Sequence, residues 1–267
     1  MRRSLFVLLL AVLAMAGLTV PASATVPVVR PLTVLSFNIH HAAGPDGVTD
    51  LDRLAAEIRR TRADVIGMQE VDRHWGERSH WADQPAELAR RLGMHVVYGA
   101  NLDEEPPAAG EPRRQYGTAI LSRYPILKWR NTPLPMARPG EEQRGLLEAV
   151  VNVAGVHVRA MTTHFQHNNA ESRQLQAEVV ADAVRTSREP VVLTGDLNAT
   201  PDAPEIKTLT ALLSDRGRGA TYPVEDPVSR IDYVLTRDAL PLYNRVLPTA
   251  SSDHRPVLAT LLVWRTR

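Results

Sequence analysis

The stretch Val191-Val192-Leu193-Thr194-Gly195-Asp196-Leu197-Asn198 constrains the fold more than any other. Its apolar, β-branched half reads as a buried strand, and Gly195 frees the backbone to turn sharply at its end. Asp196 and Asn198 then sit two positions apart at the rim of the fold. A carboxylate there can take a proton from water, and an amide can hold that water or its target in line. A second such end is Ser251-Ser252-Asp253-His254-Arg255-Pro256, followed by apolar Val257 to Val263. Two strand-anchored sites for proton and metal chemistry point to hydrolysis.

The first residues are read as an address rather than as fold. Arg2 and Arg3, the apolar run Leu5 to Leu18 and the small-residue pattern Ala22-Ser23-Ala24 predict a cleaved signal peptide over 1–24 and a secreted domain over 25–267. The apolar run falls short of the ~20 residues that span a bilayer. Arg2-Arg3-Ser4-Leu5-Phe6 loosely echoes a twin-arginine signal and leaves the export route open. With zero cysteines, an exported chain has no disulfides, and its stability must come from the core. Thiolate nucleophiles and cysteine zinc sites are excluded with them. Losing Arg2 and Arg3 from 31 basic residues leaves 29 against 30 acidic, a balance of −1, without the basic footprint of a dedicated nucleic-acid binder. A monomer is expected, and no protein partner is inferred.

The periodicity predicts strands over Leu32 to Asn38, Asp64 to Glu70 and Met94 to Tyr98, with helices over Asp50 to Arg62 and Pro85 to Leu92 between them. Asn101 to Arg114, with three prolines and a glycine among charges, reads as an exposed loop. Strands follow over Tyr116 to Ser122, Ile126 to Asn131, Gly145 to Val153 and Val156 to Thr163. Glu171 to Arg188 reads as the longest helix, with Leu175, Val179, Ala183 and Val184 on one face. A helix over Pro204 to Leu213 precedes strands over Ile231 to Leu235 and Val257 to Val263. Two packed sheets with helices outside suit this order better than a simple doubly wound sheet.

Polar residues collect where these strands end: Asn38, Glu70, His164, Asp196 with Asn198, Asp232, and Asp253 with His254. Each alone has a dull explanation as a turn cap or solvated carboxylate. Together they share one chemistry. Ser36-Phe37-Asn38-Ile39, Gln69-Glu70-Val71, Tyr116 to Ser122, Thr163-His164-Phe165, Gly195-Asp196-Leu197-Asn198, Ile231-Asp232-Tyr233 and Ser252-Asp253-His254 occur in an order that resembles the endonuclease/exonuclease/phosphatase (DNase I-like) superfamily. The resemblance implies a four-layer α/β sandwich, two facing mixed β-sheets flanked by helices. It also implies cleavage of a phosphoester with a divalent cation, usually Mg2+, with Mn2+ as a substitute. Hard oxygen ligands without cysteine agree with Mg2+.

By the same resemblance, Glu70 is the principal metal ligand, Asn38 a ligand or orienting group beside it, and Asp253 a further contact to a metal. Asp196 is the base that deprotonates or aligns the attacking water, and Asn198 holds that water or a phosphate oxygen. His254 faces the scissile phosphate with Asp232 as its carboxylate partner. Free carboxylic acids ionise near pH 4, so Asp196 needs no large shift to accept a proton at neutral pH. His164 matches a second histidine, but the carboxylate that supports it elsewhere is replaced by Arg113-Arg114-Gln115-Tyr116, so phosphate binding is its expected role rather than acid catalysis. Arg144, entering a strand from a polar loop, is a candidate phosphate contact or a surface ion pair. His40, His41 and His167 suggest a zinc cluster, set aside because no HExxH helix or cysteine supports it. Trp75 and Trp81 either wall the site or pack against a helix.

These readings describe a Mg2+-dependent phosphodiesterase attacking phospholipid headgroups or small phosphodiesters with in-line water. An extracellular DNase-type endonuclease is the alternative, and a non-catalytic module binding a phosphorylated ligand a third.

Overall fold

Apolar residues lie on both faces of the central strands, so both faces must be covered, and they are. The structure, a computed structural model, describes residues 28–265; the expected signal peptide lies outside the described residues. In chain order the elements are β1 (Val29–Asn38), α1 (Leu51–Thr61), β2 (Val65–Arg73), α2 (Gln84–Leu92), β3 (His95–Glu104), β4 (Arg114–Ser122), β5 (Ile126–Pro133), β6 (Gly145–Val153), β7 (Val156–His164), α3 (Ala170–Thr186), β8 (Val191–Asp196), α4 (Pro204–Thr210), β9 (Ser214–Asp215), β10 (Asp232–Arg237), β11 (Ala239–Val246) and β12 (Val257–Trp264).

They build two six-stranded sheets, ordered β11-β12-β1-β2-β4-β3 and β5-β6-β7-β8-β10-β9. Near the middle of each lies one parallel pair, β1 with β2 and β7 with β8, joined by α1 and α3. The remaining pairs are antiparallel, so both sheets are mixed. Three apolar clusters separate four layers. Leu32, Val34, Val65 and Ile120 of the first sheet meet Leu147, Val151, Val158 and Val192 of the second between the sheets. Leu54, Ile58 and Leu88 of α1 and α2 cover the first sheet, and Ala177, Val180 and Ile206 of α3 and α4 cover the second. The expected four-layer sandwich is the fold observed.

Local signals set the helix ends. Asp50 caps α1 by accepting from the Asp52 and Arg53 amides, and Gly93 ends α2 at φ 65, in the left-handed region that glycine enters without strain. Between the sheets, threonine side chains of the second sheet come so close to the Gly67 backbone that a Cβ there would stand 1.9 Å from Thr194 Oγ1. The seam carries polar bonds as well: Gln69 Nε2 donates to Thr162 Oγ1 at 2.8 Å, and the Gly195 amide to Ser36 Oγ at 3.0 Å.

Some expectations fail. The stretch read as a loop from Asn101 to Arg114 begins as β3, which pairs with β4 through Glu104, leaving only 105–113 outside strands. The buried side of α3 is Ser172, Gln176, Ala177, Val180, Ala181 and Val184, while Leu175 is exposed. Two polar residues hold that side in place. The Gln166 amide donates to Gln176 Oε1 at 2.9 Å, and the Ala137 amide to Ser172 Oγ at 2.9 Å. Strands β9 and β11 were not anticipated.

Candidate active site

The register of the second sheet brings strand ends together without any unusual turn. His164 stands opposite Asp196 across the parallel β7–β8 pair, and Asp232 stands opposite Asp196 across the antiparallel β8–β10 pair. Side chains at paired positions share a face of the sheet, so an acid, a second acid and an imidazole converge. Gly195 serves this arrangement differently from the turn expected of it. It lies inside β8, where a Cβ would come within 2.7 Å of the Thr163 carbonyl oxygen, and the left-handed residue is Asn198 at φ 49.

The C-terminal end adds the second histidine. Ser252 Oγ donates to the Asn38 carbonyl at 2.7 Å and accepts from the His254 amide at 3.0 Å, pinning this turn to the end of β1. His254 Nδ1 then sits 3.0 Å from Asp232 Oδ2, with its Nε2 3.7 Å from Asp196 Oδ2. His164 Nε2 approaches the same Asp196 oxygen at 3.4 Å. All four side chains are buried.

Their protonation follows from that burial. Asp196 is pushed up to about 7, first by loss of solvent and then by the neighbouring Asp232 charge. The ordinary carboxylate pKa expected of it is therefore corrected: burial, with the Asp232 charge beside it, poises this group to exchange a proton near neutrality. His254 is raised to about 10. Burial opposes its charge, but the hydrogen-bonded Asp232 carboxylate, with Asp196 and Asp253 behind it, outweighs that. His164 goes the other way, well below the usual imidazole range, because it is buried and faces the Arg144 guanidinium. One imidazole is a cation and the other is neutral.

Arg144 lies behind His164, not in the open site. Its side chain is buried, with Nη1 2.9 Å from His164 Nδ1 and 2.8 Å from Glu142 Oε1, and Nη2 3.4 Å from His167 Nδ1. A guanidinium has only donors, so His164 Nδ1 accepts and the ring proton sits on Nε2, toward Asp196. The expected phosphate contact by Arg144 finds no support in this packing; it fixes the tautomer of the histidine that can make such a contact.

On the first sheet, β2 bulges between Met68 and Val71 where it pairs with β4, and Glu70 takes φ 56. Bulges re-aim side chains beside active sites, and this one turns a half-buried carboxylate into the space between the two sheets' ends. Asn38 Nδ2 bridges Glu70 Oε1 at 2.9 Å and Asp196 Oδ2 at 3.0 Å, while its Oδ1 accepts from the His40 amide at 3.1 Å. So placed, Asn38 orients the two carboxylates, and its Oδ1, which accepts one hydrogen bond, keeps a second lone pair. The Asn198 amide nitrogen is committed to the Phe165 carbonyl at 3.0 Å, and its backbone N–H to Asp196 Oδ1 at 3.0 Å, which leaves its Oδ1 as the acceptor for a water.

The residues fit a divalent cation near Glu70. The ligand atoms of His40, His41 and Glu70 lie within 4.8 Å of one another, and Asp253 Oδ1 lies 3.7 Å from His40 Nδ1. Both histidine Nδ1 atoms are shielded and bonded to no other group, as is Asp232 Oδ1. Burial lowers His41 to about 4, which keeps its ring neutral. His167 belongs with Arg144 and takes no part in this cluster. Trp75 meets Tyr116 at a tilt, with ring centroids 5.8 Å apart, and Arg78 lies over both rings; Trp81 is exposed.

A buried carboxylate pair, two histidines in opposite charge states and a half-buried glutamate beside two further histidines meet at the joined ends of two sheets, the arrangement of a phosphoester hydrolase-type fold. The chain belongs to the endonuclease/exonuclease/phosphatase family, whose description matches residues 35–254. Over 259 residues it is 29% identical to the Escherichia coli (strain K12) protein called Uncharacterized protein YbhP, covering 85% of this chain and 95% of that one. Among solved structures it resembles an endonuclease/exonuclease/phosphatase from Beutenbergia cavernae DSM 12333, with TM-score 0.74 and 29% identity over 88% of this chain and 72% of the other. It shares its fold with the Bacteroides thetaiotaomicron mannosyl-6-phosphatase Bt3783, at TM-score 0.70 and 18% identity over 86% and 99% of the two chains.

Proposed function

We propose that this protein is a secreted, cation-dependent hydrolase of small phosphodiesters or phospholipid headgroups. One observation carries the reading: Asp196 stands within 3.4 Å of neutral His164 and 3.7 Å of cationic His254 and shares the Asn38 amide with Glu70. Base, phosphate donors and cation site are thus contiguous. Asp196 takes the proton of the attacking water, which Asn198 Oδ1 helps to align. His164 donates Nε2–H to a phosphate oxygen. The His254 imidazolium, steadied by Asp232, stabilises the charge that grows on the phosphoryl oxygens and gives its Nε2 proton to the departing oxygen as the ester P–O bond breaks. A bound divalent cation supplies further neutralisation of that charge. Glu70 and Asp253 would hold it, and their oxygens suit Mg2+ or Mn2+.

The near-neutral balance of the mature chain favours small phosphoesters over a nucleic-acid groove. Secretion rests on Arg2, Arg3, the apolar run and Ala22-Ser23-Ala24; intact-mass analysis of the exported protein should find Thr25 at its N-terminus. The substrate test is a panel of sphingomyelin, phosphatidylinositol, a chromogenic phosphodiester and plasmid DNA, each with Mg2+ and with chelator. Chelator-sensitive release from a lipid or small diester, with plasmid left intact, is the expected result. Plasmid nicking alone would favour the nuclease reading, and ligand binding without turnover a non-catalytic module.

A further inference from the structure

We propose that His40 and His41 are nitrogen ligands of the cation that Glu70 binds, and that they make the site select a divalent transition ion such as Mn2+, Co2+ or Zn2+ over Mg2+. The inference shares Glu70 with the function proposed above but concerns which ion is held, not which ester is cut.

Two features converge on this pair. Each ring presents an Nδ1 that is closed off from solvent and bonded to no other group, and buried polar atoms are rarely left so. The chain also reaches this arrangement through three consecutive non-glycine residues in the left-handed region, His40 at φ 43, His41 at φ 44 and Ala42 at φ 66. Such a run persists only when its surroundings over-determine it, and it is characteristic of ligand clamps. Here the surroundings are explicit. Asn38 Oδ1 accepts from the His40 amide at 3.1 Å, Gln84 Nε2 donates to the His41 carbonyl at 2.8 Å, and the Asp50 amide donates to the Ala42 carbonyl at 3.0 Å.

The result is a pair of rings in edge contact, centroids 4.4 Å apart, facing one half-buried carboxylate. Their ligand atoms lie within 4.8 Å of Glu70's and of each other, near enough that side-chain rotation can bring them onto one ion with bonds of about 2.1 Å. Asp253 Oδ1, 3.7 Å from His40 Nδ1, supplies a further oxygen. An ion pair between His40 and Asp253 would explain neither the orphaned His41 nitrogen nor the strained run. Mg2+ prefers oxygen donors and retained waters, whereas imidazole nitrogens favour first-row transition ions in the Irving–Williams order.

The test loads the purified mature protein with Co2+, follows its visible absorption, and repeats the titration in excess Mg2+. His40→Asn and His41→Asn are the informative variants, since asparagine tolerates the left-handed backbone and swaps a nitrogen donor for an amide oxygen. Circular dichroism melting checks that they remain folded. The wild type should show a ligand-field spectrum that Mg2+ in excess does not erase. Each variant should bind Co2+ at least about 10-fold more weakly, the smaller end of the loss seen even for outer-shell partners, with Mg2+ affinity changed less than about 2-fold. Co2+ displaced by equimolar Mg2+, or folded variants that keep wild-type Co2+ affinity, would overturn the assignment. A Co2+ spectrum that depends on both histidines, in a protein that hydrolyses nothing on the panel, would support the ion assignment while sinking the hydrolase reading.

Discussion

The two parallel strand pairs end in the same place and are built in opposite ways. At the end of β7 and β8 the strands stay in register, His164, Asp196 and Asp232 are buried, and nearly every polar atom has a protein partner. At the end of β1 and β2 the register slips at the bulge, Glu70 and His41 take left-handed backbone, and imidazole nitrogens are left without partners. The first is a hydrogen-bonded network, with Asp232 Oδ1 its one unpartnered carboxylate oxygen among the three, whose low-dielectric surroundings set proton affinities. The second is an unfinished coordination shell. Reaction chemistry benefits from groups already fixed before substrate arrives, whereas a cation site must keep donors unsatisfied until the ion comes.

The contrast breaks first at Asp196. Asp196→Asn keeps the shape and removes the base, so kcat should fall by about 10²- to 10⁴-fold with the cation still bound. Glu70→Gln should abolish activity by a different route, loss of cation binding in calorimetry. Because Glu70 is half-buried on strained backbone, that variant's melting temperature should move by less than about 4 °C, the shift about 1 kcal/mol gives in a domain of this size.

Next comes the buried pair. Asp232→Ala removes the counter-charge of His254 and should cost about 3 kcal/mol or more in chemical denaturation, because it strands a buried cation. If the β8 end were as loosely built as the β2 end, this cost would be near zero. The smallest effect is expected behind His164. Burial depresses that imidazole most and Arg144 adds to it, so Arg144→Met should raise the His164 pKa in an NMR titration while leaving it below the ordinary range. Activity should fall by about 10-fold as the Nε2–H tautomer is no longer enforced.

Much of this was legible in the sequence because it is local. The strands that end in Asn38, His164 and Asp196 are mostly buried runs closed by one ionisable or amide side chain, and Asp50 and Gly93 announce helix ends by their chemistry alone. The order of Asn38, Glu70, His164, Asp196, Asp232 and His254 carried the family resemblance. Other features were hidden because tertiary packing decides them. β11 is an edge strand with Leu240, Leu242 and Tyr243 exposed and a register break after Pro241, so it lacks alternation. Gln176 and Ser172 face inward on α3 because loop amides need their oxygens. Arg144 looks like any loop arginine until its burial against His164 is seen. The histidines after Asn38 join Glu70 only through a bulge that leaves no mark in the sequence.

A crystal structure of the protein with Mn2+ and inorganic phosphate, read through the anomalous signal of the ion, tests the shared site most directly. The ion should bond to Glu70, with the phosphate oxygens held by His164 and His254 beside Asp196. An ion bound away from Glu70, or phosphate that avoids both histidines, would contradict it.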